Sequence, residues 1–344
     1  MSLLEVKGLK TYFNIAQGEV KAVDDVSFSL DRGKALGLVG ESGSGKTTTA
    51  LSIARLLPKE GSIRGGEIFL EGTDLVKLSE AEIQKRRWRD VSIVFQGAMN
   101  ALNPVMKIGE QIAEAIILHR KADKKAALER ARELLELVEI PGGRVNNYPH
   151  EFSGGMKQRV MIAMAMACDP KIIIGDEPTT ALDVMVQAQI LNLIKRLRTE
   201  RDMGFILITH DLSILAETCD RIAIMYAGKI AEIGSVEDIF ENTAHPYTQK
   251  LIGCFPDISG EKKMTDGIPG APPNMLELPG GCAFHPRCDM AVERCRQERP
   301  KTSEIAPGHE VTCHRWREII GDKGDGPFCP QGIRHKPKET MNER

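Results

Sequence analysis

The stretch GESGSGKTT, Gly40 to Thr48, spaces glycines, a lysine and threonines as phosphate chemistry requires. Gly40, Gly43 and Gly45 allow a backbone to wrap around an anion with its amide hydrogens turned inward. Lys46 can reach the β- and γ-phosphates, Thr47 can offer its hydroxyl to Mg²⁺, and Ser42 and Thr48 complete the cradle. A second constellation, IIIGDEP at Ile172–Pro178, is an apolar run ending in two carboxylates. Asp176 suits Mg²⁺ ligation through water, and Glu177 suits orienting or deprotonating a water that attacks the terminal phosphate. A third, FSGGMKQR at Phe152–Arg159, opens a helix with Ser153, Gly154 and Gly155. That is a second anion-binding helix start in one chain. One nucleotide does not need two cradles from the same subunit. The economical arrangement is a head-to-tail pair in which Ser153 and Gly155 of each chain close over the nucleotide held by the other.

These motifs need particular elements beneath them. KALGLVG reads as a buried strand leading into the glycine loop, and TTTALSIARLL has helical spacing after it. EVKAVDDVSFSL alternates as a half-buried strand. Residues 108–140 carry a helical amphipathic pattern, and a helix runs from Ser153 through GGMKQRVMIAMAMA. KIIIGDEP and GFILITHD read as buried strands with the helix VQAQILNLIKRLRTE between them, and RIAIMYAGKIAEIG as a hairpin-like pair. Strands alternating with helices predict an α/β fold with a mainly parallel sheet and helices on both faces. Near residue 240 the texture changes to a Pro- and Gly-rich tail with few apolar runs. The reading is therefore a nucleotide-binding domain over 1–240 and an extension over 241–344.

Of 344 residues, 42% are apolar and 27% charged, and the formal net charge is −2. Such a balance excludes a global basic field for nucleic acid or anionic membrane. No run approaches the ~20 apolar residues that span a bilayer, and no secretory leader is expected from MSLLEVKGLKTYF. The expected location is cytoplasmic, with any membrane role exercised through partners.

With SGG as signature, the chain resembles the ABC-type ATPases over roughly residues 3–240. The resemblance implies an ABC ATPase fold with an antiparallel β part and a helical subdomain at about 97–165. It also assigns roles. Gln96 after VSIVF senses Mg²⁺, Asp183 in TALD acts in trans with Ser153 and Gly155, and His210 after FILIT contacts the γ-phosphate. Glu177 is the general base, and Tyr12, with Phe13 beside it, is the aromatic that stacks on the base. FQGAMNALNPVMKIGEQI, YPHEFSGGMKQRVMIAMAMA and HPYTQKLI are similar to the ATPases of oligopeptide and dipeptide importers. Gly97 stands where that group has Asp, and Phe152 where it has Leu; neither change removes a catalytic atom. The resemblance implies ATP and Mg²⁺ as cofactors and attachment to the cytoplasmic face of the membrane. The implied partners are a second, often different, ATPase chain, two transmembrane permease subunits and an external solute-binding protein. Related importers carry oligosaccharides or nickel. Chromosome-organising relatives share the motifs, but the stretch between Gln96 and Ser153 is too short for their coiled-coil insertion. A stand-alone ATPase is the remaining alternative.

The tail holds Cys282, Cys288, Cys295 and Cys313, spaced C-x5-C-x6-C-x17-C. In a reducing compartment clustered cysteines more often hold metal than disulfides, and a tail short of apolar material needs another source of stability. Four thiolates suit a [4Fe–4S] cluster or tetrahedral Zn²⁺. The gaps are wider than zinc pairs favour, and the tail resembles cysteine-bearing extensions of peptide-importer ATPases that bind [4Fe–4S]. Cys329 is a fifth candidate ligand. His285, His309 and His314 are possible zinc ligands but read as surface residues, and Cys168, Cys219 and Cys254 as small or incidental ones. Such a cluster would be a structural staple or, on a sharper reading, a redox or iron sensor.

Overall fold

The computed structural model describes residues 2–95, 97, 101–180, 182–254 and 267–321. It forms two compact units, residues 1–230 with 272–278, and residues 231–271 with 279–344.

In the first unit, β1 (Leu4–Ile15), β2 (Gly18–Leu30), β4 (Gly61–Leu70) and β5 (Thr73–Asp74) form an antiparallel sheet in the order β2-β1-β4-β5. Its apolar residues alternate onto one face, as Val23, Val26, Phe28 and Leu30 do along β2. The parallel strands β3 (Ala35–Val39), β6 (Val91–Val94), β7 (Ile172–Asp176), β8 (Gly204–Ile208) and β9 (Arg221–Tyr226) lie in the order β9-β3-β8-β7-β6. β3, β7 and β8 are buried along their whole length. That burial is why their sequences are near-continuous apolar runs rather than alternating ones. Helix α1 (Lys46–Ile53) packs against β1, β2 and β7, so the helix that follows the glycine loop lies between the two sheets. Helix α2 (Glu80–Arg86) carries a Ser79–Glu82 capping box.

The region read as one amphipathic pattern is two helices, α3 (Ile108–Arg120) and α4 (Lys124–Leu137). Lys121 stops α3 in a left-handed conformation, and Asp123 caps α4 by accepting from the Ala126 N–H at 2.9 Å. Ala127, Ala131, Leu134 and Leu135 form the buried stripe of α4. Helix α5 (Gly154–Ala165) packs on α4 and on α6 (Val184–Arg201). Its methionines Met161 and Met166 are core residues. Helix α7 (Leu212–Thr218) packs on β3.

The second unit begins at residue 231 rather than 240, because β10 (Lys229–Ser235) pairs with β12 (His309–Val311) through Glu232 and Val311, drawing residues from 231 onward into the tail. β11 (Ser303–Ala306) pairs with β12 in a hairpin. Helices α8 (Val236–Glu241), α9 (Pro246–Gly253), α10 (Glu293–Gln297) and α11 (Trp316–Gly321) complete the unit. Among the described residues no helix is long and apolar enough to cross a membrane.

Candidate functional site

β3, β8 and β7 are adjacent and parallel, so their carboxyl ends meet along one edge: Leu38 is in register with Ile208, and Ile208 with Asp176. Gly40–Thr48 follow β3, Asp176 and Glu177 close β7, and His210 follows β8. Three motifs far apart in sequence are thereby brought to one crevice, the usual ligand position in open α/β sheets. A cavity of about 500 Å³ there is lined by Gly40, Glu41, Ser42, Gly43, Gly45, Lys46, Thr47, Thr48, Glu177 and His210, with Val20, Ala22 and Met275. Such a volume is typical of a small-ligand site.

Gly40 and Gly45 adopt positive φ of 154° and 105°, and a side chain on either would meet carbonyl oxygen, of Met225 at 2.1 Å and of Ala22 at 2.4 Å. Only glycine permits that approach. No side chain caps the start of α1, so its first amides remain for an anion. The buried Lys46 ammonium donates to the carbonyls of Gly40 and Glu41, at 2.7 and 2.9 Å. Burial lowers its pKa, against the opposing pull of Glu177, Asp176 and Glu41. Asp176 is 5% exposed, and desolvation raises its pKa even though the Thr47 hydroxyl bonds to it. A buried carboxylate beside a threonine hydroxyl, whose burial disfavours its own charge, is a fitting ligand pair for a divalent cation. Glu177 has a left-handed backbone at φ 48° and its N–H donates to Ile208 O at 2.8 Å. Its carboxylate accepts from the Thr180 hydroxyl at 3.1 Å and lies 3.4 Å from His210 Nδ1. The His210 side chain is 74% exposed.

Tyr12 is not among the described lining residues. Its hydroxyl donates to Asp24 Oδ1 at 2.9 Å, and Lys21 Nζ lies 5.6 Å from its ring centre. The strand alternation separates it from Phe13, which pairs with Val20 of the cavity wall. Cross-strand partners share a face, so Phe13 shares a face with Val20, although neither it nor Tyr12 is among the described lining residues. Gln96 lies outside the described residues; Gly97 beside it is left-handed at φ 68°, a conformation that Asp adopts only with strain.

Ser153 caps α5 through the Met156 N–H, and Asp183 caps α6 through the Val186 N–H at 3.0 Å. A side chain on Gly155 would meet Val186 Cγ1 at 2.6 Å, so Gly155 joins the two caps. None of Ser153, Gly155 and Asp183 is among the described residues lining the Lys46 cavity. Phe152 is buried under the Arg144 guanidinium, 4.8 Å from its ring centre. Between α3 and α4 a groove of about 510 Å³ is lined by Met106, Ala113, Ile117, Leu118 and Leu128, with Glu110, Glu114 and Lys124.

In the second unit Cys282, Cys288, Cys295 and Cys313 line one enclosed cavity with His245, Phe284, His285 and His314. Burial pushes Cys288 up to about 11 and Cys313 to about 12, and each is raised further by the other cysteines. Backbone N–H groups of Phe284 and His285 donate to Cys282, that of Met290 to Cys288, and that of Arg315 to Cys313 at 3.3 Å. Gly281 is left-handed and a side chain there would meet Cys295 O at 2.3 Å, close to where the Cys282 N–H donates to the same oxygen at 2.8 Å. Among the described residues no group of three or more His, Cys, Asp or Glu is drawn together around a single metal ion. Cys329 lies outside them.

His309 is not a surface residue. It is 1% exposed, and its Nε2 donates to the fully buried Glu232 at 2.9 Å. Glu232 also accepts from the Thr243 hydroxyl and the N–H groups of Ala244 and His245. Glu232 carries no motif that sequence reasoning exploits, His245 enters only as the first residue of HPYTQKLI, and Val20, Ala22 and Met275 reach the phosphate cavity from outside every motif. His285 Nδ1 and His314 Nε2 are bound to the carbonyls of Cys282 and Glu298. Cys168 is buried, and burial raises both its thiol and that of Cys219.

Residues 23–180 match the family model described as ABC transporter, and residues 231–295 match that of the oligopeptide/dipeptide transporter C-terminal region. The oligopeptide transport ATP-binding protein OppD of Haemophilus influenzae is 48% identical over 313 residues, 90% of this chain and 96% of the relative. Its namesake in Escherichia coli is 46% identical over 316 residues, 91% of this chain and 93% of the relative. Among solved structures, the dimeric post-hydrolysis ATP-binding cassette MJ0796 bound to ADP and Pi is similar with a TM-score of 0.61 and 27% identity, over 68% of this chain and 98% of that one. The phosphate cavity and the two matched regions lead to one conclusion: the chain belongs to the ATP-binding proteins of the oligopeptide/dipeptide ABC transporters and is an ATPase of the ABC type.

Proposed function

We propose that this chain energises the import of oligopeptides or dipeptides by hydrolysing ATP on the cytoplasmic face of a membrane, bound peripherally to its transporter. The carrying observation is the convergence of Lys46, Glu177 and His210 on one cavity in a chain whose residues 231–295 match the peptide-transporter C-terminal region. Gly40–Thr48 bind the phosphates, and Thr47 and Asp176 would hold Mg²⁺. When bound, the ion offsets phosphate charge. Glu177 takes the proton of the attacking water, and His210, 3.4 Å away, is placed to contact the γ-phosphate and to orient that carboxylate. Gln96 senses the ion.

Ser153, Gly155 and Asp183 stand outside the cavity yet are tied to each other through Val186. That arrangement supports a head-to-tail pair in which they act on the partner's nucleotide. The pair is a heterodimer on this reading, with two permease subunits and an external solute-binding protein. The α3–α4 groove, apolar with Glu110, Glu114 and Lys124 at its rim, suits an amphipathic helical segment of a permease. An oligosaccharide or nickel cargo is the alternative.

In the extension, the four cysteines fit a [4Fe–4S] cluster better than Zn²⁺. They share one cavity and receive backbone N–H donors, as cluster sulfurs do, without closing around one ion. A bound cluster supplies folding energy to the unit. Anaerobically purified protein should be brown with about four irons per chain; colourless protein with one zinc would replace the cluster by a tetrahedral site.

The test of the function is Glu177→Gln in the reconstituted transporter. ATP still binds, while hydrolysis falls by at least about 100-fold and peptide uptake stops. Near-parental hydrolysis would remove Glu177 as the base, and uptake of a sugar or nickel with no peptide uptake would replace the cargo.

A further inference from the structure

Residues 272–278 interrupt the second unit and belong to the first. Their conformation is set locally. Pro272 and Pro273 stiffen the approach, the Asn274 side chain accepts from the Leu276 N–H at 3.0 Å, and the Asn274 carbonyl accepts from the Glu277 N–H at 3.1 Å. Leu276 then packs on the turn between β1 and β2, with Cδ2 3.5 Å from where a side chain on Gly18 would begin. Met275 faces the phosphate cavity.

The lining of that cavity is chemically divided. Gly40–Thr48, Glu177 and His210 are polar and suit phosphate; Val20, Ala22 and Met275 are apolar. A nucleotide has one part for each, a polyanion and a flat aromatic base. We propose that Met275 is a nucleotide-binding residue on the base side, its thioether packing against the purine opposite the β1–β2 wall. This rests on the nucleotide reading of the cavity. Sulfur–aromatic contact is favourable, and methionine adapts to an irregular wall.

The full-length chain is titrated calorimetrically with ATP and with inorganic tripolyphosphate, which carries the phosphates but no base. Met275→Ala should weaken ATP about three- to ten-fold and leave tripolyphosphate within about two-fold of the parent, with Met275→Leu intermediate. On the parent chain, ATP should protect Met275 from peroxide oxidation mapped by mass spectrometry, and tripolyphosphate should not. Equal loss of both ligands in Met275→Ala, unchanged ATP affinity, or equal protection by both would overturn the assignment. Lys46→Ala separates the two readings. It should abolish binding of both ligands, and if the parent chain binds neither, the nucleotide site itself is wrong.

Discussion

Replacing Glu232 by leucine should unfold the second unit ahead of the first. One buried carboxylate serves four donors: the Thr243 hydroxyl at 3.1 Å, the Ala244 N–H at 2.6 Å, the His245 N–H at 3.2 Å and His309 Nε2 at 2.9 Å. Leucine leaves all four without an acceptor at a site with no exposure. An unmade buried hydrogen bond costs about 1–3 kcal/mol. Water entering the site would satisfy part of the set, so the lower total of about 3–5 kcal/mol is expected for Glu232→Leu. Glu232→Gln keeps the size and one acceptor oxygen but turns an NH₂ toward one donor, for about 1–3 kcal/mol. In a unit of roughly 100 residues, 3 kcal/mol lowers Tm by at least about 12 °C. The chain has two tryptophans, Trp88 in the first unit and Trp316 in the second, so a Trp88→Phe background lets Trp316 report the second unit alone. The order of Tm should be parent, then glutamine, then leucine. The His245 backbone is anchored by Glu232 while its ring walls the cysteine cavity, so thiol reactivity should rise in the same order. A leucine variant melting within about 2 °C of the parent would refute the reasoning.

Two further measurements probe each unit separately. Phe13→Ala should weaken ATP binding about ten-fold, in line with base–aromatic stacking, while Tyr12→Ala should weaken it by less than about two-fold; the reverse result would assign the base to Tyr12. His245 is pushed down to about 4, first by burial, with Glu232 pulling the other way. Its folded pKa thus lies below its unfolded one, so the unfolded chain takes up the proton first as pH falls through about 6.5 toward 4. Stability should be intact above that window and drop by about 2 kcal/mol between pH 7 and 4.5, and His245→Asn should flatten that slope in Tm-against-pH curves.

The catalytic crevice was legible because each part of it is local. A parallel strand buried on both faces has to be a short apolar run, and the residue that ends it sits at the carboxyl edge. Asp176 and Glu177 could therefore be placed at a strand end from the run IIIGDEP, while His210, an ordinary strand-end residue when taken alone, drew its role from the family resemblance. The base wall was less legible. β1 carries register shifts against β2 between Leu9 and Lys10 and between Thr11 and Phe13. A bulge resets which side chains face inward, so the sequence offers no pattern that separates Tyr12 from the adjacent Phe13. Met275 had no local signal, since nothing within its own segment says which part of the fold that segment will cover.

The cysteine spacing has a structural origin that the sequence does not display. Cys282, Cys288 and Cys295 lie on one stretch whose Gly281 lets residues 282 and 295 approach. Cys313 arrives by another route. The gap before it contains the β11–β12 hairpin, and β12 is fixed by pairing with β10 and by the Thr312 N–H donating to Ala231 O at 2.8 Å. His245, in the helix-capping position of α9, bonds through its ring to the Thr312 backbone. The long interval between the third and fourth cysteines is therefore the length of a hairpin, set by where β10 runs rather than by the needs of a metal. Its register in turn depends on Glu232, which lies opposite Val311 and binds His309 on the same strand. A glutamate in an ordinary-looking strand thus holds the strand that leads to the fourth thiol.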